Sequence, residues 1–151
     1  MRALSTLALA AGLVLLVGAA STGATVQKLT IVMREYSYTP SKVTLQASVP
    51  AEITLINRGK KPHEFMVYDR SMGGMMMGHD WVQKTNYFRG MSVTVQGGKA
   101  RSKGGAIYEV EVAAGKTAVV KFTPTRKGTF EMACMIKGHY EGGQVGTLTV
   151  R

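Results

Sequence analysis

Cysteine occurs once in the 151 residues, so no internal disulfide can hold the fold together. Histidine is nearly as scarce, with three, and there are a single Trp and four Pro. Acidic side chains are also few: 9 against 19 basic ones give a net charge of +10 and a sequence pI near 10.0. Such a balance favours anionic partners without choosing between nucleic acid, lipid headgroups and an acidic protein. The length excludes a large multidomain enzyme. A 45% hydrophobic and 19% charged composition excludes both a disordered tail and a polytopic membrane protein. Glycine is the abundant residue, 18 in short runs without a collagen period, which suits a loop-rich β protein.

There is one long apolar run, at the N-terminus. Residues 1–24 carry an early positive charge at Arg2, the stretch LALAAGLVLLV, and small residues at Gly18, Ala19, Ala20 and Ala24. This is the pattern of an export signal. The alternative is an uncleaved membrane anchor, since the run is just long enough to span. The small residues and the missing charged flank favour cleavage, leaving residues 25–151 as one exported domain. Periplasmic or other extracytoplasmic placement makes nucleic acid a poor partner. It also singles out Cys134, because a lone exported cysteine is a reactive thiol or a ligand.

From residue 25 onwards the apolar pattern has period two, the mark of half-buried strands. Leu29, Ile31 and Met33 alternate with polar neighbours, as do Val43 and Leu45, Ile53 and Leu55, and Phe65 and Val67. The second half continues with Tyr108, Val110 and Val112, then Ala118, Val120 and Phe122, then Phe130 and Met132, and finally Val145, Leu148 and Val150. Turn signals at Thr39-Pro40-Ser41, Val49-Pro50-Ala51 and Arg58-Gly59-Lys60 separate the early runs. About eight short strands with turns between them predict an all-β sandwich. Residues 70–105 break the pattern and read as a Met-rich insertion, with a short helix around Trp81–Phe88 and a strand at Met91–Val95.

The chemistry concentrates near the C-terminus. Cys134 ends an alternating run, and His139 and Gln144 follow before the last strand. A thiolate and an imidazole on one loop suit copper or zinc. His63, which opens a strand after a turn, supplies a third ligand, and a His2Cys set with a weak axial group is the arrangement of blue-copper sites.

With these residues in place the chain resembles the cupredoxins, the plastocyanin and azurin family. The resemblance rests on the N-x-G-x-x-x-H-E-F stretch from Asn57 to Phe65, the C-terminal Cys, His and axial residue on one loop, and the closing G-T-L-T-V strand. It implies a Greek-key sandwich holding one type 1 copper ion, with His63, Cys134 and His139 as equatorial ligands and Gln144 in the axial position. Most of the family has Met there; Gln resembles the stellacyanin type, and its harder oxygen donor implies a lower reduction potential. The resemblance also implies that the His139 ring edge reaches the surface as an electron port, rimmed by Gly138, Tyr140, Gly142 and Gly143. Beside His63, where the family often has a small polar residue tying the site's loops together, this chain has Glu64; an ion pair with Lys60 or Lys61 is one use for it.

The implied function is one-electron carriage between redox partners, with an acidic cytochrome or oxidase as the partner type, rather than an enzyme activity: after two histidines are used at the blue site, one remains for any further copper. The alternative is a periplasmic copper carrier or resistance protein. Met72, Met75, Met76, Met77 and His79 bear on that choice, because thioethers favour Cu(I) and the cluster has the donors of a secondary Cu(I) site. The plainer reading is that these Met fill an irregular apolar gap or partner surface. The basic residues either confer solubility or steer an acidic partner or an anionic membrane surface. A monomer is expected.

Overall fold

The computed structural model describes residues 25–69 and 84–151. Eleven strands run in the order β1 (Gln27–Arg34), β2 (Ser37–Thr39), β3 (Lys42–Leu45), β4 (Ala51–Asn57), β5 (His63–Tyr68), β6 (Thr94–Gln96), β7 (Lys99–Lys103), β8 (Ala106–Val112), β9 (Thr117–Phe122), β10 (Gly128–Ala133) and β11 (Val145–Val150). They form a five-stranded sheet, β2-β1-β4-β9-β6, and a six-stranded sheet, β3-β11-β10-β5-β8-β7. Pairing is antiparallel except at β1 with β4 and at β3 with β11.

The expected alternating runs are strands with most of their apolar residues turned inward; Tyr108 packs instead in a second cluster with Met66, Tyr68 and Ala133, and Val145 is only partly covered. In β4, Ala51, Ile53 and Leu55 are buried while Glu52, Thr54 and Ile56 are only partly covered. Ala118, Val120 and Phe122 do the same on β9, and Leu148 and Val150 on β11. The inward residues of both sheets meet in one core, which is how two sheets remove alternate side chains from water. The β-sandwich expected from the sequence is therefore the fold, with eleven strands rather than about eight. The strand expected at Met91–Val95 is found as the shorter β6, starting at Thr94, while β2 and β7 are short or largely exposed, so no alternating apolar face announces them.

The stretch read as an insertion is in part a piece of the sandwich. Strand β6 pairs with β9 and β7 with β8, extending both sheets. Between them and β5, Tyr87 and Phe88 are fully buried and pack against Phe65, Phe122 and Phe130. Arg126 fixes this segment: its guanidinium lies over the Tyr87 ring, donates to the Asn86 and Tyr87 carbonyls, and reaches Asp69 Oδ1 at 2.8 Å. Of the helix expected around Trp81–Phe88, Lys84 and Thr85 are helical, but Asn86 bridges Tyr68 and residues 87–90 form a turn, because Tyr87 and Phe88 are drawn into the core; residues 81–83, the Met72 to His79 cluster and the N-terminal segment lie outside the described residues. No helix among the described residues is long and apolar enough to cross a membrane.

The topology brings four chain segments to one end of the sandwich. Strand β5 starts at His63 and runs antiparallel to β10, which ends at Ala133, so His63 and Cys134 fall at the same edge. Val145, the first residue of β11, pairs with Ala133 and places Gln144 there too. On the other sheet, Met33 near the end of β1 lies opposite Asn57 at the end of β4. The β1–β2 turn, Glu35 and Tyr36, therefore sits over the loop that delivers His63.

Candidate metal centre

His63, Cys134 and His139 meet at this end, with ligand atoms all within 4.8 Å of one another. Cys134 Sγ lies 3.4 Å from His139 Nδ1, and the two imidazole centroids are 5.0 Å apart. All three are buried, and Gln144 is buried beside them.

Local backbone structure fixes each position. Asn57, 1% exposed, donates its amide to the carbonyls of Lys61 and Val112, each at 2.8 Å, and accepts from the Gly59 amide at 2.8 Å. One side chain thus shapes the turn leading to His63 and ties it to β8. The Cys134–Gln144 loop closes on itself: the Cys134 amide donates to the Gln144 carbonyl at 3.2 Å and the Gln144 amide to the His139 carbonyl at 2.9 Å. The His139 amide in turn bonds the Ile136 carbonyl at 2.8 Å.

Glu64 joins the two loops. Its amide donates to Cys134 Sγ at 3.4 Å, its carboxylate accepts from the Met135 amide at 3.0 Å, and its carbonyl accepts from Tyr38 Oη at 2.6 Å. This corrects the ion pair with Lys60 or Lys61 expected from the sequence: the carboxylate is turned inward to the cysteine loop, where an amide needs an acceptor. Burial raises the Glu64 pKa, and the Met135 amide works against that rise.

The electrostatics suit a cation. Burial, and then the neighbouring His139, lower the His63 pKa, so its ring is held neutral and able to ligate. Burial pushes the Cys134 thiol up to about 11 against the pull of the Glu64 and Ile136 amides, so metal binding must displace a proton from it. Both ring nitrogens of His63 and both amide atoms of Gln144 are buried without a hydrogen-bond partner. Buried polar atoms are rarely left so. A metal ion between the two imidazoles, the thiolate and the Gln144 amide would take up one His63 nitrogen and the Gln144 amide oxygen, and the donor set of two imidazoles, one thiolate and a weak oxygen fits copper.

The β1–β2 turn covers the centre. Glu35 Oε1 accepts from the Lys60 and Lys61 amides at 2.6 and 3.0 Å and lies 3.8 Å from His63 Nε2. Its own amide, then that of Lys60, holds the carboxyl below the usual range. Tyr36, at φ 66°, lays its ring edge-on to His139 with centroids 5.8 Å apart. Gly142 makes this possible, since a Cβ there would fall inside the Tyr36 ring. His139 is consequently only 3% exposed while Tyr36 is 52% exposed. The surface-reaching His139 edge expected from the resemblance is thus replaced by a tyrosine lying over it. Sequence reading found His63, Cys134, His139 and Gln144, and missed Glu35, Tyr36 and Tyr38. The stretch R-E-Y-S-Y carries no motif, and only the turn brings these residues to the site.

Comparison with known proteins points the same way. The family model of the cupredoxin-like domain matches residues 6–82. The chain is 26% identical over 138 residues to the copper-resistant cuproprotein CopI of Pseudomonas aeruginosa, covering 83% of this chain and 76% of that protein. Its fold is similar to reduced auracyanin from Roseiflexus castenholzii, with a TM-score of 0.57 at 19% identity, covering 85% of this chain and 99% of the other. Auracyanin A of Chloroflexus aurantiacus, a "blue" copper protein, gives a TM-score of 0.57 at 17% identity, covering 84% and 100%. A multicopper oxidase from Campylobacter jejuni also shares the fold, with a TM-score of 0.53 at 15% identity, but this chain spans only 31% of it. Sandwich, loop-borne His, Cys and His, and family match agree: the chain belongs to the cupredoxin-like domain family.

Proposed function

We propose that this chain is an exported type 1 copper protein that carries single electrons between redox partners. The observation that supports this reading best is the buried cluster of His63, Cys134 and His139, with the unpartnered Gln144 amide beside it. Bound there, copper supplies a one-electron Cu(II)/Cu(I) couple. The protein's part is to hold the two imidazoles and the thiolate at positions set by strand ends rather than by the ion, and to keep water out. A donor set fixed in this way changes little between oxidation states. In this reading Gln144 is the axial ligand, and the basic surface steers an acidic redox partner.

The test is copper stoichiometry with the visible absorption and EPR spectra of the mature domain, beside Cys134→Ser. One copper per chain and an intense thiolate charge-transfer band, lost in the variant, are expected. A colourless Cu(II) complex would remove the type 1 assignment. The proposed steering is checked by association rates, which must fall as salt rises.

A second reading, copper tolerance by sequestration or transfer, is favoured by the likeness to CopI over 83% of the chain. The Met-rich segment is its sequence counterpart. Replacing Met75, Met76 and Met77 with Leu and titrating Cu(I) separates the two. Loss of a second Cu(I) equivalent supports copper handling, and unchanged stoichiometry and affinity leave electron carriage alone.

A further inference from the structure

We propose that Glu35 is the carboxylate partner of His63: it sets which ring nitrogen of His63 carries the proton and, through that ring, tunes the metal centre. The inference rests on the type 1 reading above for its effect on copper, but its geometry stands without it.

His63 Nε2 lies beside Gly59 and Glu35. A Cβ built on Gly59 would stand 2.5 Å from His63 Nε2 and 2.8 and 2.9 Å from the Glu35 carboxylate oxygens. Gly59 is therefore the gap through which ring and carboxylate face each other. Glu35 Oε1 is pinned in that gap by the Lys60 and Lys61 amides, at 2.6 and 3.0 Å. The same oxygen lies 3.8 Å from His63 Nε2. That separation is beyond a hydrogen bond, so the carboxylate acts as a fixed negative charge on the Nε2 side.

A neutral imidazole carries one proton, and a negative charge beside Nε2 favours placing it there. Nδ1 is then left with a free lone pair, the form in which an imidazole nitrogen can ligate a metal. The arrangement is a carboxylate, histidine and metal relay in which the outer partner fixes the tautomer and raises the ligand's basicity. Raised basicity and nearby negative charge both favour Cu(II) over Cu(I), adding to the oxygen donor of Gln144. Because the amides of Lys60 and Lys61 hold the carboxylate, the turn that carries His63 also carries the means of keeping its partner in place.

The test begins with the metal-free wild-type protein, whose His63 tautomer is read at neutral pH from 15N ring shifts. Protonation at Nε2 is expected; protonation at Nδ1 would overturn the proposal with no variant needed. Glu35→Gln follows, since it keeps an oxygen for the two lysine amides while removing the charge. The variant is expected to shift the tautomer population toward Nδ1–H and to weaken Cu(II) binding by about 10–100-fold. Cu(I) binding is expected to weaken less, so the reduction potential rises by about 59 mV for each factor of ten in that difference. An unchanged tautomer with an unchanged potential would also overturn it. Should the wild-type protein give no thiolate charge-transfer band, the type 1 reading fails, while the tautomer of the metal-free protein still decides the role of Glu35.

Discussion

Glu64 and Met135 are 71 residues apart in the chain and joined by one hydrogen bond, from the Met135 amide to Glu64 Oε2 at 3.0 Å. The bond joins the start of β5, which carries His63, to the loop that carries Cys134. Since the Glu64 amide also points at the Cys134 sulfur, the residue following His63 ties down both the cysteine loop and Cys134 itself. Where the family often has a small polar residue, a longer acidic one does the tying.

Removing that carboxylate leaves a partly buried amide without its acceptor. Glu64→Ala is therefore expected to destabilise the metal-free protein by about 1–3 kcal/mol, the cost of a lost charged partner. Glu64→Gln, which keeps an oxygen, should recover most of it. Urea unfolding of the three proteins measures both, and equal stability of the alanine variant and wild type would show that the tie contributes nothing.

Gln144 sets a second expectation. If its amide oxygen is the axial donor, Gln144→Met replaces a hard donor with a soft one and raises the reduction potential. Voltammetry of the two copper-loaded proteins reads the sign directly. A potential that stays put or falls would place the Gln144 amide off the copper.

Glu109 gives a pH dependence. It is 6% exposed, and burial, with Glu64 nearby, pushes its pKa up to about 7 even though Arg101 Nε lies 2.9 Å away. A folded-state pKa above the unfolded value of 4.5 means that stability is fully present below 4.5 and is lost as the pH rises through 7. Glu109→Gln is expected to be more stable than wild type at pH 8, by on the order of 2 kcal/mol, with the difference shrinking toward pH 4.5. Thermal unfolding across that range checks it, and a pH-independent difference would contradict the assignment.

Tyr36 should behave as a cover. With its ring on His139 at 5.8 Å, truncation by Tyr36→Ala opens a path from solvent to the ligand. Faster removal of bound copper by a chelator is expected, with Tyr36→Phe close to wild type because the ring edge is retained. Stopped-flow chelation compares the three, and equal rates would mean that copper leaves by another route.

The main strands and the His63, Cys134, His139 and Gln144 positions were legible in the sequence for one reason: both are written in local pattern. Period-two burial marks a strand wherever one face is buried, so β1, β4, β9 and β11 declare themselves. A single Cys with His139 and Gln144 on one loop declares a ligand set. Strands β2 and β7 have no alternating apolar face to declare them. For the same reason residues 84–105 looked like an insertion, although Tyr87 and Phe88 complete the core.

By itself, then, the sequence determined an all-β chain with a candidate soft-metal donor group, because alternation and donor spacing are local properties. Only the tertiary structure decided that Glu64 bonds the cysteine loop instead of a lysine, that Tyr36 covers His139, and that Glu35 faces His63. These contacts depend on which strand ends share an edge of the sandwich and on the missing side chains at Gly59 and Gly142. No local pattern encodes either.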